Sequence, residues 1–274
     1  IMMRSLWTAA TGMKSQQTAV DTISNNLANV NTVGFKQKDT EFKSLLYQTL
    51  QTRTTSANGD TKPTQAQVGL GVRVAATNTS FTTGIQESSD NPAACFIAGN
   101  GFFSVQGLDG NTYYTRDGDF NWSVDNDGER VLTNNSGLRV LDSRGRRITL
   151  PEGASADQVS IDSDGVIGYT DANGNALTTG QQIGLFQFSN MDGLEERGGN
   201  LYAETAASGA PINEATTNLN IVRSQIKQGY IEGSNVSMAD QMVDLIIAQR
   251  AYEMNSKAIT TSDSMLETAN NLRR

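Results

Sequence analysis

The amino-acid sequence predicts an α+β protein with a coiled-coil domain of N- and C-terminal helices, a central and mostly antiparallel β domain, and extended linkers. Three observations support this prediction. Apolar residues recur at steps of three and four near both ends of the chain. None of the four prolines lies in these end segments, and glycine is almost absent from them. Asp-Gly and Asn-Gly pairs, which favour hairpin turns, occur only between them.

The N-terminal segment from Leu6 to Val30 is predicted to be the first helix. Its apolar positions form a narrow series that only Gln16 interrupts. A series of this kind is typical of a helix that packs against other helices. The members of the series are Leu6, Ala9, Met13, Val20, Ile23, Leu27 and Val30.

A run of asparagines closes this helix and leads into Gly34. Asparagine tolerates left-handed backbone geometry and forms local turns. A frayed helix end with an exit loop therefore explains the run as well as a specific junction does. The motif consists of Asn25, Asn26, Asn29, Asn31 and Gly34.

The C-terminal segment from Met238 to Leu272 is predicted to be the second helix. Ser237 and Asp240 stand three residues apart at its start, which is a capping-box arrangement. Two columns of apolar residues run along it at steps of seven, and a stripe this wide needs neighbours on more than one side. One chain offers only two such helices, so we expect further helices from other copies and interpret the chain as a polymer subunit. The columns are Met238, Leu245, Tyr252, Ile259 and Leu266, and Ala251, Ala258, Met265 and Leu272.

The middle of the chain divides by its composition. Residues 81–204 alternate short β-forming runs with turns and are predicted to form the outer β domain. Residues 34–80 and 205–233 are predicted to be extended linker, and Gln48 to Val68 shows no periodicity. The helical domain then comprises residues 1–33 and 234–274. The predicted hairpin turns are Asp109-Gly110, Asp117-Gly118, Asp127-Gly128, Asp164-Gly165 and Asn173-Gly174.

The composition argues against catalysis and a metal or cofactor site. The chain has no histidine, which excludes catalytic triads, Cys-His dyads and histidine-containing zinc sites. Cys95 is the single cysteine, and its apolar neighbours favour a buried, inert thiol. Asp162 and Asp164 are spaced as in a calcium loop, but Ser160 stands where the first aspartate is needed, so a hairpin turn is the better interpretation. We expect no catalytic residues, no cofactor and no metal.

The charge and the hydropathy limit the partners. A net charge of −8 argues against nucleic acid and anionic membranes as partners. No stretch approaches the roughly 20 apolar residues of a membrane span, and no cleavable signal segment is visible. We therefore expect no direct membrane insertion, and either a cytosolic protein or export without a cleaved signal.

Both terminal segments resemble the bacterial flagellar rod and hook protein family. The resemblance is carried by SNNLANVNTVGFK from Ser24 to Lys36 and by the segment from Glu232 to Leu266, which begins EGSNVSMADQMVDLIIAQRAYE. NGFFSV, YYTRDGDF and GLEERGGNLYAETAASGAP in the middle of the chain are also similar to that family. The resemblance covers nearly the whole chain.

The resemblance implies a structural protein of the flagellar basal body. Family members pack their terminal helices as an inner coiled-coil tube, with the β domain outside, and leave the cell through the flagellar type III export apparatus. A subunit in the distal segment of the periplasm-spanning rod is favoured over a hook subunit. The implied partners are other copies of the chain in a helical homopolymer, proximal rod proteins, hook or hook-adaptor proteins, surrounding ring proteins and the export apparatus.

A different class of protein is the alternative. A monomeric β-rich binding protein, or a glycosidase that uses a pair of carboxylates, would pair its two helices only with each other. The polymer interpretation instead assigns the packing role to two sets of residues, one in each helix. These residues are Leu6, Met13, Val20, Ile23 and Leu27, and Met238, Leu245, Tyr252, Ile259 and Leu266.

Overall fold

The computed structural model describes residues 2–51, 66–125, 128–151, 154, 156–170, 176–216 and 221–272. They form a helix at each end and a largely antiparallel β body, which confirms the α+β class. The chain divides into two compact units. The helical unit comprises Ile1–Ala28, Lys38–Thr79 and Ser237–Arg274, and the β unit comprises Asn29–Gln37 and Ser80–Val236.

The helical unit contains both long helices and two pairs of antiparallel strands. Both helices lie where the periodicity predicts them, although the first ends before Val30. Ser237 caps the second helix, since its Oγ accepts a hydrogen bond from the backbone N of Asp240 at 3.4 Å. The elements are α1 (Met2–Ala28), β1 (Lys38–Ser44), β2 (Tyr47–Gln51), β3 (Ala66–Gly69), β4 (Val72–Thr79) and α2 (Met238–Asn271).

Strands stand where the sequence predicted an extended linker over residues 34–80. β1 pairs with β4, and β2 pairs with β3, both antiparallel. The described part of Gln48 to Val68 thus belongs to the paired strands β2 and β3, and its residues 52–65 lie outside the described residues. β1 is mostly exposed along its length, so no alternation of apolar and polar residues signals it in the sequence.

The β unit contains the remaining strands and two short 3-10 helices, Ala156–Gln158 and Met191–Gly193. All of its strand pairs are antiparallel. The strands are β5 (Gln86–Ser88), β6 (Cys95–Ala98), β7 (Phe102–Gln106), β8 (Thr112–Thr115), β9 (Phe120–Val124), β10 (Arg130–Asn134), β11 (Arg139–Val140), β12 (Thr149–Leu150), β13 (Val159–Ile161), β14 (Val166–Thr170), β15 (Ala176–Gln182), β16 (Leu185–Gln187), β17 (Glu195–Gly198), β18 (Leu201–Ala203), β19 (Ile212–Asn213), β20 (Gln225–Gln228) and β21 (Tyr230–Glu232).

The largest sheet of the β unit runs in the order β12, β10, β11, β7, β8, β18 and β17. Because side chains alternate across β7, its neighbours Phe102 and Phe103 enter two different buried clusters. Phe103 packs with Phe120 in the main apolar core. Phe102 packs edge-on against Phe188 and Tyr202 in an aromatic cluster.

The predicted linker over residues 205–233 also contains strands. β19 pairs with β16, β20 pairs with β6, and β21 pairs with β5. Ile226 on β20 is buried in the main core. This stretch therefore completes the β unit, because it covers edges that would otherwise leave backbone groups unpaired.

Three of the predicted turns join paired strands. Gly110, Gly128 and Gly165 adopt φ of +79°, +81° and +82° in the β7–β8, β9–β10 and β13–β14 hairpins. The pair Asn173-Gly174 and residue Asp127 lie outside the described residues. The prediction of a hairpin at Asp117-Gly118 is wrong, because β8 and β9 pair with different strands. Gly118 is needed there for space, since a Cβ would overlap the backbone O of Cys95.

Candidate assembly surface

The two terminal helices pack against each other within the chain. Ser5 and Ser262 place their Oγ atoms 3.4 Å apart near one end of the pair. Near the other end, Nδ2 of Asn26 donates to Oε1 of Gln241 at 2.9 Å. The helices therefore run antiparallel, and each provides part of the packing that the sequence expected from other copies.

Small and polar residues make contacts at several levels along this pair. A side chain at Gly12 would place its Cβ 2.9 Å from Nδ2 of Asn255, so the helices approach closely at that level. Ala19 and Ala248 are both buried. We call these positions the helix seam, and each of its two columns repeats at steps of seven. The helix seam consists of Ser5, Gly12, Ala19 and Asn26 on α1, and of Gln241, Ala248, Asn255 and Ser262 on α2.

The residues predicted to pack in the polymer flank the helix seam rather than form it. Those on α1, together with three on α2, are half-buried in the single chain, whereas Met238 and Tyr252 are exposed. The half-buried residues are Leu6, Met13, Val20, Ile23, Leu27, Leu245, Ile259 and Leu266.

A second apolar stripe on α2 has no cover within the described part of the chain. Val243, Ile247, Met254 and Met265 recur with Ala258 at steps of four and seven, which places them on one helix face. Ile247 and Met254 are 61% and 65% exposed. We call this set the outward stripe. One residue along a helix turns it by about 100°, so the stripe points well away from Ala248 in the helix seam. The second heptad column in the sequence contains Ala258 and Met265 but not Val243, Ile247 or Met254, because the stripe alternates steps of four and seven.

A groove of about 400 Å³ lies on the helical unit. Val20 and Tyr252, both predicted as packing residues, line it with Gln17, Gln249 and Glu253. An apolar floor with polar margins suits the side chains of a further helix.

The asparagine motif divides between the two units. In the helical unit, Asn26 is 1% exposed, and its Nδ2 also donates to the backbone O of Lys38 at 2.8 Å, while its Oδ1 accepts from the backbone N of Lys38 at 2.9 Å. A residue held in this way is a specific anchor rather than a frayed end. Asn25 and Asn31 are exposed.

In the β unit, the rest of the motif forms a tight turn. The backbone O of Asn29 accepts from the backbone N of Thr32 at 3.2 Å. Gly34 adopts φ of +69°, and a Cβ there would lie 2.7 Å from the backbone N of Asp117. No other residue type meets both requirements without strain.

A buried ionic cluster follows this turn in the β unit. Lys36, Arg116 and Glu232 have side chains that are 0–1% exposed. Nζ of Lys36 donates to Oε1 of Glu232 at 2.6 Å and to the backbone O of Thr82 at 2.7 Å. NH1 of Arg116 lies 3.5 Å from Oε2 of Glu232. The cluster joins GFK of one terminal motif to EGSN of the other, residues that sequence reasoning did not single out as a pair.

Burial and charge act against each other in this cluster. Burial lowers the pKa of Lys36, and the Glu232 carboxylate raises it in part. Burial likewise lowers the pKa of Arg116, whose guanidinium lies 5.0 Å above the ring of Phe102. Since two cations share one carboxylate, Glu232 is the charge on which the cluster depends.

The other groups that the sequence singled out for their chemistry lie in the core or in a turn of the β unit. The Cys95 thiol is 1% exposed, and burial raises its pKa to about 12. Within the described residues, no three acidic or thiol side chains are grouped closely enough to hold a metal ion. Asp162 and Asp164 lie in the β13–β14 hairpin, where Oδ1 of Asp162 accepts from the backbone N of Ser163. None of the described helices is long and apolar enough to cross a membrane.

Comparison with known proteins gives three family matches along the chain. Residues 6–36 match the flagella basal body rod protein family. Residues 96–169 match the D1 domain of the flagellar hook protein FlgE/F/G family. Residues 227–272 match the C-terminal region of the flagellar basal body rod FlgEFG protein family.

Full-length relatives give the same result. The flagellar basal-body rod protein FlgG of Borreliella burgdorferi is 43% identical, with 100% of both chains covered. The protein of that name from Buchnera aphidicola subsp. Acyrthosiphon pisum is 42% identical over 97% of this chain and 98% of its own. The one from Agrobacterium fabrum is 39% identical over 96% and 97%.

Removing the charge of Glu232 should destabilise the β unit. In Glu232→Gln, the Lys36 ammonium and the Arg116 guanidinium stay buried without a counter-charge, which costs about 3–5 kcal/mol. Urea unfolding measures the loss when it is followed by fluorescence in a Trp7→Phe background, where Trp122 is the one tryptophan left. The matched control is Glu253→Gln in the exposed Arg250–Glu253 pair, which should cost under about 0.5 kcal/mol. A loss below roughly 1 kcal/mol for Glu232→Gln would contradict the role of the cluster.

The pH dependence of stability should report on Asp117. Burial raises the pKa of Asp117 to about 6, although the hydrogen bond from the backbone N of Asp119 lowers it in part. The folded state then holds this proton more tightly than the unfolded state does, so stability falls as the pH rises from about 4 to about 6. In Asp117→Asn the free energy of unfolding, measured with urea, should lose this fall between pH 4 and pH 6, which amounts to roughly 2 kcal/mol. An unchanged slope would mean that Asp117 is ionised throughout.

Proposed function

The chain belongs to the flagellar basal-body rod protein family, and from this premise we propose that it polymerises into the distal rod through the outward faces of its two terminal helices. As a family member it is a structural subunit of the flagellar basal body. The finer proposal is a helical homopolymer that crosses the periplasm and transmits torque to the hook. Its terminal helices would form the coiled-coil core, and residues 81–204 the outer domain.

The observation that carries this proposal is the outward stripe. A helix of a free-standing protein buries its apolar face, yet Ile247, Met254 and Met265 remain more than half exposed. Each such side chain is worth roughly 1.5–3 kcal/mol when it is removed from water. In a rod subunit, the partner that covers the outward stripe is a second copy of the same chain.

The groove provides a different surface for the same association. Val20 and Tyr252 line it, and neither belongs to the outward stripe. A contact that joins two different surfaces repeats from one copy to the next, and it produces an open filament when the rotation between copies does not close into a ring. This geometry supports a growing rod.

The remaining partners follow from the place of a distal rod in the flagellum. We propose contacts with proximal rod proteins at one end and with hook or hook-adaptor proteins at the other, and with ring proteins around the rod. We also propose export through the flagellar type III apparatus without a cleaved signal. No cofactor, metal or nucleic acid enters this proposal.

A charge in the outward stripe should abolish assembly. Ile247→Asp places a carboxylate where the proposal requires burial, which costs several kcal/mol per subunit in addition to the lost apolar contact. Ile247 is 61% exposed in the single chain. The helical signal of the Ile247→Asp variant in circular dichroism and its tryptophan fluorescence should therefore match those of the original chain. Sedimentation and electron microscopy of concentrated protein measure filament formation, and swimming measures function.

The matched control is Thr260→Asp, which adds the same charge at another exposed position of α2. This variant should still form filaments and support motility. Normal filaments from Ile247→Asp would contradict the proposed surface. Straight filaments support a rod subunit, whereas curved, flexible ones would favour the hook alternative.

A further inference from the structure

The helix seam has a property that general apolar packing does not explain. Each step of seven along α1 is matched by a step of seven in the opposite direction along α2. Ser5 meets Ser262 at one level, and Gly12 meets Asn255 at the next. The same register places Ala19 opposite Ala248, and Asn26 meets Gln241 at the last level. Small residues face small ones, and the one glycine faces an amide.

We propose that the helix seam is a register key, which allows the two terminal helices of one chain to pair at one level only. The key has two parts. Asn26 and Gln241 pair their buried amides, and Gly12 leaves the space that the side chain of Asn255 occupies. A buried polar pair selects register because every other register leaves an amide without its partner.

A slip of seven residues in one direction breaks the polar part of the key. It would bring Gln241 opposite Ala19 and Ala248 opposite Gly12. The amide of Gln241 would then face a methyl group, and Asn26 would lose one of its acceptors. Both amides are buried, so water could not replace the missing hydrogen bond.

A slip in the other direction breaks the steric part. This slip would bring Asn255 opposite Ala19 instead of Gly12. A Cβ at Gly12 would already lie 2.9 Å from Nδ2 of Asn255, and Ala19 carries such a Cβ. Real Cβ atoms essentially never come this close to another heavy atom, so the side chain of Asn255 would have to leave the space it occupies, or the helices would have to separate. The same slip places Asn26 opposite Ala248 and again removes its partner.

The register fixed in this way determines what the helical unit presents outside. A seam of leucines would pack comparably at every heptad level and would leave the pair free to slide. Small and polar seam residues avoid this, and they leave Val20, Tyr252 and the outward stripe at fixed heights relative to one another. The inference concerns contacts within one chain and holds whether or not the chain polymerises.

An exchange of the steric pair tests the key. Gly12→Asn alone should force an asparagine against Asn255 and disrupt the register. Adding Asn255→Gly exchanges the two partners, restores one glycine opposite one asparagine, and should restore the register. This pair lies away from Lys38, so the hydrogen bonds that tie Asn26 to β1 stay intact in both variants.

A disulfide between Ser5→Cys and Ser262→Cys reports the register, since the parent Oγ atoms lie 3.4 Å apart. The cross-link is formed with a mild oxidant in the full chain and quantified by mass spectrometry of the monomeric band. Cys95 is buried with its pKa raised to about 12, and the chain without added cysteines serves as the blank. Circular dichroism follows the helix content of each variant.

We expect Gly12→Asn to lower the cross-link yield at least fivefold and the exchanged pair to return it to within twofold of the original. Ala10→Asn, an exposed position on the same helix, is the matched control and should leave the yield unchanged. An undiminished yield in Gly12→Asn overturns the proposal. A loss of cross-link yield that the exchanged pair fails to restore also overturns the proposal, whether or not the helices melt. In that case the matching of residue sizes would not set the register.

Discussion

The close approach of the two terminal helices is the constraint on which the helical unit depends. Gly12, Ala19 and Ala248 carry almost no side chain, so the backbones come near enough for Asn26 and Gln241 to meet. Large apolar residues have no room in that contact and lie along its flanks or face outward. The helix seam thus stabilises the chain, and by the same geometry it leaves the stripe through Ile247 exposed.

The β unit is stabilised by a different principle. Its strands enclose a conventional apolar core and an edge-on aromatic cluster, and one carboxylate, Glu232, holds two buried cations. Such a cluster adds little net stability compared with apolar packing, but it is costly to disrupt. It joins residues from near both ends of the chain to the β strands, so the order of this unit requires both terminal motifs to be in place.

Much of this architecture could be predicted from the sequence, for physical reasons. Long helices repeat their contacts locally, so heptad spacing and the cap at Ser237 predicted both of them closely. The helix seam gives no apolar signal because its residues are small or polar, although they recur at steps of seven from Ser5 to Asn26. β1 was missed because its mostly exposed, polar residues give no alternating pattern, and β19–β21 were missed because each has only two to four residues. The pairing of Lys36 with Glu232 joins distant parts of the chain and leaves no periodic signal at all.

The central claim is that the outward stripe becomes buried when copies of the chain assemble. Methionine oxidation by dilute peroxide, read by mass spectrometry, tests it directly, because Met254 and Met265 lie in the stripe and are 65% and 55% exposed in the single chain. Both should oxidise readily in the free subunit and at least tenfold more slowly in filaments. Met13 is half-buried beside the helix seam, so it should oxidise slowly in the free subunit, and its oxidation rate should change less on assembly. Equal oxidation rates of Met254 and Met265 in free and assembled protein would contradict the account.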